Sequence, residues 1–288
     1  KGWSQLLPLD TINRQSPQEF SRWGNTVGRV INTKLSLVHT PSHPRCTTLS
    51  LIERVDYGVE VQAPTAVLRF KQPDVNDKGL PHFEAGDLVG VLAPGTKVAR
   101  FYSLASASKD GMLEICIRHH SGGLCSSFLH SLSVGDSIEA FIRPNPSFRP
   151  ASGKAPIVLI GAGTGIGPLV GFIRNNKSHH PIHLYWGGRN PQSDFLYEPE
   201  LKTYLKDKRL TELNAVFSRT NECSYVQEKI GVDSLELREL IEKGAQILVC
   251  GGRDMANSVM VALNEVIAPL GMDVLTLKAQ GRYREDVY

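Results

Sequence analysis

IVLIGAGTGIGPLVGFI, residues 157–173, decides the fold of this chain. The apolar β-type run Ile157–Ile160 enters a loop carrying Gly161, Gly163, Gly165 and Gly167, and Pro168 follows inside an apolar stretch of helical character. A strand, a glycine loop and a helix N-terminus together make an anion site. Glycines let backbone N–H groups approach a phosphate, and the helix dipole favours negative charge there. Proline in the first helical turn costs nothing, because its missing N–H has no intrahelical partner in any case. The spacing is GxGxGxGP rather than the usual GxGxxG, since Ile166 stands where the third glycine belongs. The same run also fits a tight β–α turn without a ligand, although four glycines are an entropic cost for a plain turn.

Downstream of this loop the chain alternates strand and helix. IVLI, IHLYWGG, LNAVFSR and QILVCGG read as parallel strands, and LVGFIRNN, EPELKTYLKDK, SLELRELIEKG and MANSVMVALNEVIAPLG as helices. That rhythm predicts a doubly wound parallel sheet over residues 151–288. Upstream the rhythm is different. TLSLIERVDY, TAVLRFKQ, DLVGVLA, MLEICIRHH and SIEAFIR are short β-type segments separated by Gly/Asp turns, which predicts an antiparallel barrel over residues 41–150. PNPSFRPASGKAP (144–156) is the expected boundary. Residues 1–40 are poorly periodic and read as a linker or N-terminal appendage, with Trp3, Phe20 and Trp23 as anchors.

Composition narrows the classes. At 288 residues the chain has room for about two domains, and 41% hydrophobic with 21% charged residues is ordinary for a globular protein. A net charge of +3 is too mild to argue for nucleic acid. No run of about 18 apolar residues is present to span a membrane. The five cysteines (Cys46, Cys116, Cys125, Cys223, Cys250) contain no CxxC pair. This speaks against a disulfide framework, a zinc site or an iron–sulfur cluster, and for a reducing, cytoplasmic compartment. Because the chain starts at Lys1, a fragment of a longer polypeptide is expected, including the cytoplasmic part of a membrane-tethered one.

Two short motifs precede the glycine loop. In RFYS (Arg100, Phe101, Tyr102, Ser103) alternation places Arg100 and Tyr102 on one strand face, giving a cation for a pyrophosphate and an aromatic plate for a flat ring. A half-buried strand with a snorkelling arginine fits equally. In GGLCSSFL, Gly123, Leu124, Cys125 and Ser126 form a second phosphate-type loop before an apolar helix. An ordinary helix capped by Ser126 or Ser127 is the alternative.

The order RFYS, GGLCSSFL, GAGTGIGP, VFSR with YVQ, VCGG and a terminal RYREDVY resembles the ferredoxin–NADP reductase superfamily over roughly residues 47–288. The resemblance is closest to the FAD/NADPH half of the diflavin reductases, such as sulfite reductase flavoproteins. It implies an FAD-binding barrel followed by an NADP-binding domain. Tyr102 would stack on the flavin and Arg100 would meet its pyrophosphate, with Gly123–Ser126 cradling the latter. Gly163, Thr164 and Gly165 would face the nicotinamide nucleotide. By the same resemblance Cys250 lies near the nicotinamide, Tyr288 covers the flavin and must swing aside, and Asp286 works with Ser103 and Cys250.

At the other end of the nucleotide, Arg189 closes IHLYWGGR where an NAD-type fold would place a carboxylate. Ser218 and Arg219 follow the next strand. The resemblance assigns Ser218, Arg219, Tyr225 and Gln227 to the 2′-phosphate and adenine. The lysine that such reductases carry just before YVQ is missing, and Cys223 and Ser224 occupy its place, so NADPH is expected over NADH with weakened discrimination. The expected activity is hydride transfer from NADPH to FAD, with electrons passed to a separate acceptor: a flavodoxin-like (FMN) domain, a haem protein or an iron–sulfur protein. The helical connecting insertion of diflavin reductases is absent, since Phe83–Asp87 leads straight on to RFYS. A flavin-free NADP-dependent dehydrogenase would leave RFYS and Tyr288 unexplained. A non-catalytic nucleotide-binding module would leave Ser103, Cys250 and Asp286 without a task.

Overall fold

The structure, a computed structural model, describes residues 5–10, 17–35, 37, 43–71 and 79–288. Trp3 lies outside them. A helix, α1 (Pro17–Val30), occupies the region that the sequence reading left unstructured. Its inward stripe runs Phe20, Trp23, Gly24, Val27, Gly28. Phe20, Trp23 and Val27 share that stripe with two glycines and the opposite face is polar, so the helix is strongly amphipathic. Leu37 packs where a Gly24 side chain would stand.

Next come β1 (Thr47–Tyr57), β2 (Thr65–Lys71), β3 (Leu88–Leu92), β4 (Arg100–Ser103), β5 (Leu113–Arg118), α2 (Leu124–Ser131) and β6 (Ser137–Arg143). The strands form one antiparallel sheet in the order β4-β3-β6-β1-β2-β5. Its two edges meet at a single bridge, Leu104 opposite Ile115, where Ala105 N–H donates to the Glu114 carbonyl at 2.9 Å. The expected barrel is therefore a six-stranded sheet curled until its edges touch. RFYS is a complete four-residue strand rather than the end of a longer one. Alternate residues (Leu49, Leu51, Leu68, Phe70, Val89, Val91, Ile115, Ile117) fill the interior, as period-2 patterning requires.

The second half contains β7 (Ile157–Ala162), α3 (Ile166–Arg174), β8 (Ile182–Gly188), α4 (Glu198–Lys206), β9 (Glu212–Phe217), α5 (Val226–Val232), α6 (Ser234–Glu242), β10 (Gln246–Gly251), α7 (Arg253–Ile267), α8 (Val274–Ala279) and β11 (Tyr283–Val287). The parallel sheet runs β11-β10-β7-β8-β9. Leu159, Leu184 and Trp186 pack under α3 and α4, while Val158, Ile160 and Tyr185 pack under α5–α8, so the sheet is covered on both faces. Three elements of this half escaped the sequence reading. YVQ opens helix α5, Val274–Ala279 forms α8, and the terminal RYREDVY, expected as a tail, supplies the fifth strand.

The core under α3 continues into the barrel through Val67, Ala85, Ala105, Cys116 and Phe148. A Cβ on Gly171 would stand 2.6 Å from both the Ala105 carbonyl oxygen and the Ala85 side chain, so only glycine lets α3 press this closely onto the barrel. Beside this contact lies an ion network. Glu114, fully buried, takes Arg69 Nε at 2.5 Å and Arg174 Nη2 at 2.9 Å. Glu200 on α4 takes Arg69 at 2.8 Å and Arg174 at 2.9 Å. Two guanidinium groups and two carboxylates alternate across the domain interface. Each buried charge thus has the paired, hydrogen-bonded partners that its burial demands.

The 144–156 segment is stitched to both halves. Arg149 is ion-paired to the buried Asp87, and Gln246 Oε1 accepts from Ala151 N at 2.6 Å.

Candidate functional site

A cavity of about 510 Å³ opens between the two halves, lined from one side by Arg100, Tyr102 and the Gly123–Ser126 turn and from the other by Thr164, Cys250 and Tyr288. Each wall follows from local structure. β4 pairs with β3, Tyr102 opposite Val89 and Ser103 opposite Leu88. Phe101 is held edge-on against Phe141 at 5.9 Å with Arg143 over its ring at 5.1 Å. Arg100 is exposed at the cavity and Tyr102 is half-buried.

Helix α2 begins at Gly123, and no side chain caps it. Neither Ser126 nor Ser127 is the N-cap. Ser126 Oγ, inside the first turn, donates to the Gly123 carbonyl at 3.1 Å and accepts from His120 N–H at 3.3 Å. Ser127 Oγ bonds His119 Nε2 at 3.2 Å. The turn is locked by its own serine, while the helix keeps its first N–H groups without side-chain partners, as an anion-binding N-terminus does.

The glycine loop is a 3₁₀ turn, Gly163–Gly165, leading into α3, which also has no side-chain cap. A Cβ on Gly165 would stand 2.1 Å from the Cys250 carbonyl oxygen, so this glycine is fixed by contact with β10. Trp186 Nε1 donates to the Gly163 carbonyl at 3.1 Å and holds the turn down from the neighbouring strand.

The terminal strand closes the site. Parallel pairing sets Asp286 beside Cys250 and Val287 beside Gly251, and Tyr288 N–H donates to the Gly251 carbonyl at 3.2 Å. Ser103 Oγ donates across the interface to Asp286 at 2.5 Å. Tyr288 Oη and Thr164 Oγ1 lie 2.7 Å apart. The four residues read as catalytic (Ser103, Cys250, Asp286, Tyr288) thus converge from three elements and the chain end. Cys250 is fully buried; its desolvation, then the Asp286 charge and Cys116, push its thiol well above the ordinary range, so it stays protonated. Burial, then Cys250, also raises the Tyr288 phenol, although 45% of that residue is open to the cavity side.

A second group collects at the carboxyl ends of β8 and β9. Ser218 N–H donates to Gly188 O at 3.1 Å, Arg219 N–H to Arg189 O at 2.7 Å, and Tyr225, half exposed, opens α5 next to Gln227. The guanidinium groups of Arg189 and Arg219 both donate to the Val61 carbonyl of the barrel loop, at 2.7 and 2.6 Å. Arg118, at the end of β5, belongs to the same cationic cluster. Desolvation, then Arg118 and Arg219, hold Arg189 below its ordinary pKa.

Just past the strand end, Asp194 folds back and accepts from the N–H groups of Arg189 and Asn190 at 2.9 and 2.7 Å. Cys223, in the place of the usual lysine, donates to the Ser218 carbonyl at 3.1 Å. Arg118 gave no local signal in the sequence, and the Ser103–Asp286 pairing was implied only by the family resemblance, because each depends on residues far apart in the chain.

The cavity suits a flavin dinucleotide: an aromatic plate, an arginine, an uncapped helix start and a wall of neutral thiol and phenol meet in one space. Comparisons agree. The oxidoreductase FAD-binding domain family matches residues 54–142, and the oxidoreductase NAD-binding domain family matches residues 159–260. The chain is 34% identical over 230 residues to the sulfite reductase [NADPH] flavoprotein alpha-component of Cronobacter sakazakii, covering 71% of this chain and 38% of that protein. It is 35% identical over 227 residues to the protein of the same name from Blochmanniella floridana, covering 70% and 37%. The chain therefore spans less than two fifths of the length of these curated relatives. No helix among the described residues is long and apolar enough to cross a membrane.

Proposed function

Because this chain belongs to the ferredoxin–NADP reductase superfamily, we propose that it is an FAD-containing oxidoreductase that takes a hydride from NADPH and passes electrons to a separate acceptor. The observation that carries the reading is the convergence of Ser103, Cys250, Asp286 and Tyr288 on one interdomain cavity. Bound flavin would supply the exchange between two-electron hydride chemistry and electron delivery. The protein's part is placement. Arg100 and the α2 N-terminus hold the pyrophosphate, Tyr102 supports the ring, and the α3 N-terminus with Thr164 receives the nucleotide of NADPH.

Ser103 spends its proton on Asp286, which leaves its oxygen as an acceptor on the cavity side. Cys250, kept neutral by burial, presents an uncharged surface to a nicotinamide and does not attack it. Tyr288, tethered through Thr164 and the Gly251 carbonyl, must give way for a nicotinamide to enter. Ser218, Arg219, Tyr225, Gln227 and Arg189 take the adenosine end, with the two arginines exchanging the Val61 carbonyl for a 2′-phosphate.

The reading extends to domains (residues 41–150 and 151–288, preceded by an appendage) and to a cytoplasmic setting. The acceptor is proposed as a flavodoxin-like, haem or iron–sulfur protein or fused domain. The relatives' names, in which a flavoprotein is one component of an NADPH-dependent sulfite reductase, support a separate acceptor. Anaerobic mixing of the FAD-loaded protein with NADPH, and separately NADH, tests the proposal by the visible flavin band. Fast bleaching with NADPH and slower bleaching with NADH is expected, with Asp286→Asn slowing the step by about 10- to 100-fold. A yellow protein bleached by neither nucleotide would overturn it.

A further inference from the structure

The parallel sheet has a second polar cluster, at the end opposite the nucleotide cavity. His183 is the second residue of β8 and Glu212 the first of β9, directly opposite each other in register, and Glu236 reaches in from α6. His183 Nδ1 lies 2.9 Å from a Glu212 carboxylate oxygen and 3.5 Å from a Glu236 oxygen. One ligand atom from each of the three falls within 4.8 Å of the other two. Such spacing fits three vertices around one ion with ligand bonds near 2 Å.

The carboxylates alone would not make a site. Two buried groups on the same sheet face, two residues further along each strand, make the case. Tyr185, opposite Asn214 in register, is fully buried, and its hydroxyl faces Asp233, Glu236 and Glu212 without a hydrogen bond of ordinary geometry. The Asn214 amide nitrogen, in a residue only 9% exposed, lies beside the Glu212 carboxylate and likewise has no hydrogen bond of ordinary geometry. Buried polar groups left unpaired are costly and call for an occupant. A hydrated cation supplies one for the Tyr185 hydroxyl through its bound water.

We propose that His183, Glu212 and Glu236 bind a first-row divalent cation of the zinc type, whose role is to clamp α6 to the β8–β9 edge. An imidazole nitrogen with two carboxylates suits Zn²⁺ and disfavours Mg²⁺, which prefers an all-oxygen octahedron. The site lies at the strands' amino ends, so flavin reduction does not pass through it.

Isothermal titration of chelator-treated, FAD-loaded protein with ZnCl₂, paired with melting curves, tests the proposal. One saturable site and a Tm raised by a few degrees under excess zinc are expected. His183→Gln and Glu236→Gln should each weaken binding by at least about tenfold and abolish the Tm shift, as loss of a ligand does. Glu236 is exposed on α6, so its variant keeps the fold if the histidine variant does not. NADPH-dependent bleaching should be unchanged in Glu236→Gln. No saturable binding, equal binding of MgCl₂, or zinc binding of unchanged affinity in Glu236→Gln would overturn the proposal.

Discussion

Replacing Arg174 by methionine is the sharpest test of how the two halves are held. The side chain is only 13% exposed and its guanidinium group makes four bonds: to Glu114 and Glu200 at 2.9 Å each, to the Ala105 carbonyl at 3.0 Å, and to Tyr204 Oη at 3.2 Å. Methionine keeps most of the apolar stem packing, so the loss is electrostatic. Glu114, fully buried, would retain Arg69 alone. Removing one partner of a buried ion pair costs about 3–5 kcal/mol, because the remaining charge stays desolvated. At about 2–4 °C per kcal/mol for a chain of this size, Tm should fall by about 6–20 °C. Circular-dichroism melting at neutral pH reads this directly.

Adding Glu114→Gln to Arg174→Met should recover part of the loss, since the stranded charge is then gone. The pH dependence has a definite sign. Burial pushes the Glu200 carboxyl up, but Arg174, Tyr204 and Arg69 together pull it net below its ordinary range. A depressed carboxyl contributes stability that is fully present above its unfolded pKa of about 4.3 and is lost as pH falls through the folded value. The gap in Tm between wild type and Arg174→Met should therefore narrow on acidification below about pH 4. An Arg174→Met protein melting within about 2 °C of wild type at neutral pH would refute the argument that this network holds the interface.

Other outcomes follow from the same geometry. Gly165→Ala should destabilise the protein by about 1–3 kcal/mol or more, read as a lower urea midpoint with m unchanged, because its Cβ would meet the Cys250 carbonyl 2.1 Å away. Cys223→Lys should return a cation to the 2′-phosphate end, lowering KM for NADPH by about fivefold in low salt and leaving KM for NADH unchanged, the size expected of one exposed charge-assisted contact.

Much of this was legible in local pattern. The switch from period-2 segments to strand–helix alternation at residues 144–156 marks where one sheet ends and the other begins, because each period reports which side of an element is buried. The elements that escaped did so for different reasons. α1 is amphipathic through Phe20, Trp23 and Val27 but stands alone before the barrel strands, while β11 has the polar run RED at its centre yet pairs along its full length with β10. An edge strand gains its place from backbone hydrogen bonds, to which side-chain pattern is blind.

By itself the sequence determined the fold class through short-range patterning, and the order of its motifs carried the family resemblance that implies two cofactor-binding halves. Local patterning alone supplied glycines at a strand–helix turn, an arginine and a tyrosine two apart on a strand, and cations where an acid is expected, and left their roles open. Only the tertiary structure decided what these residues meet. It joined Ser103 to Asp286, set Cys250 beside that pair in register, turned Arg189 and Arg219 onto Val61, and buried Glu114 between Arg69 and Arg174. Those contacts join residues 36 to 183 positions apart. Chain spacing carries no information about them until packing of the two cores against α3 fixes one half against the other.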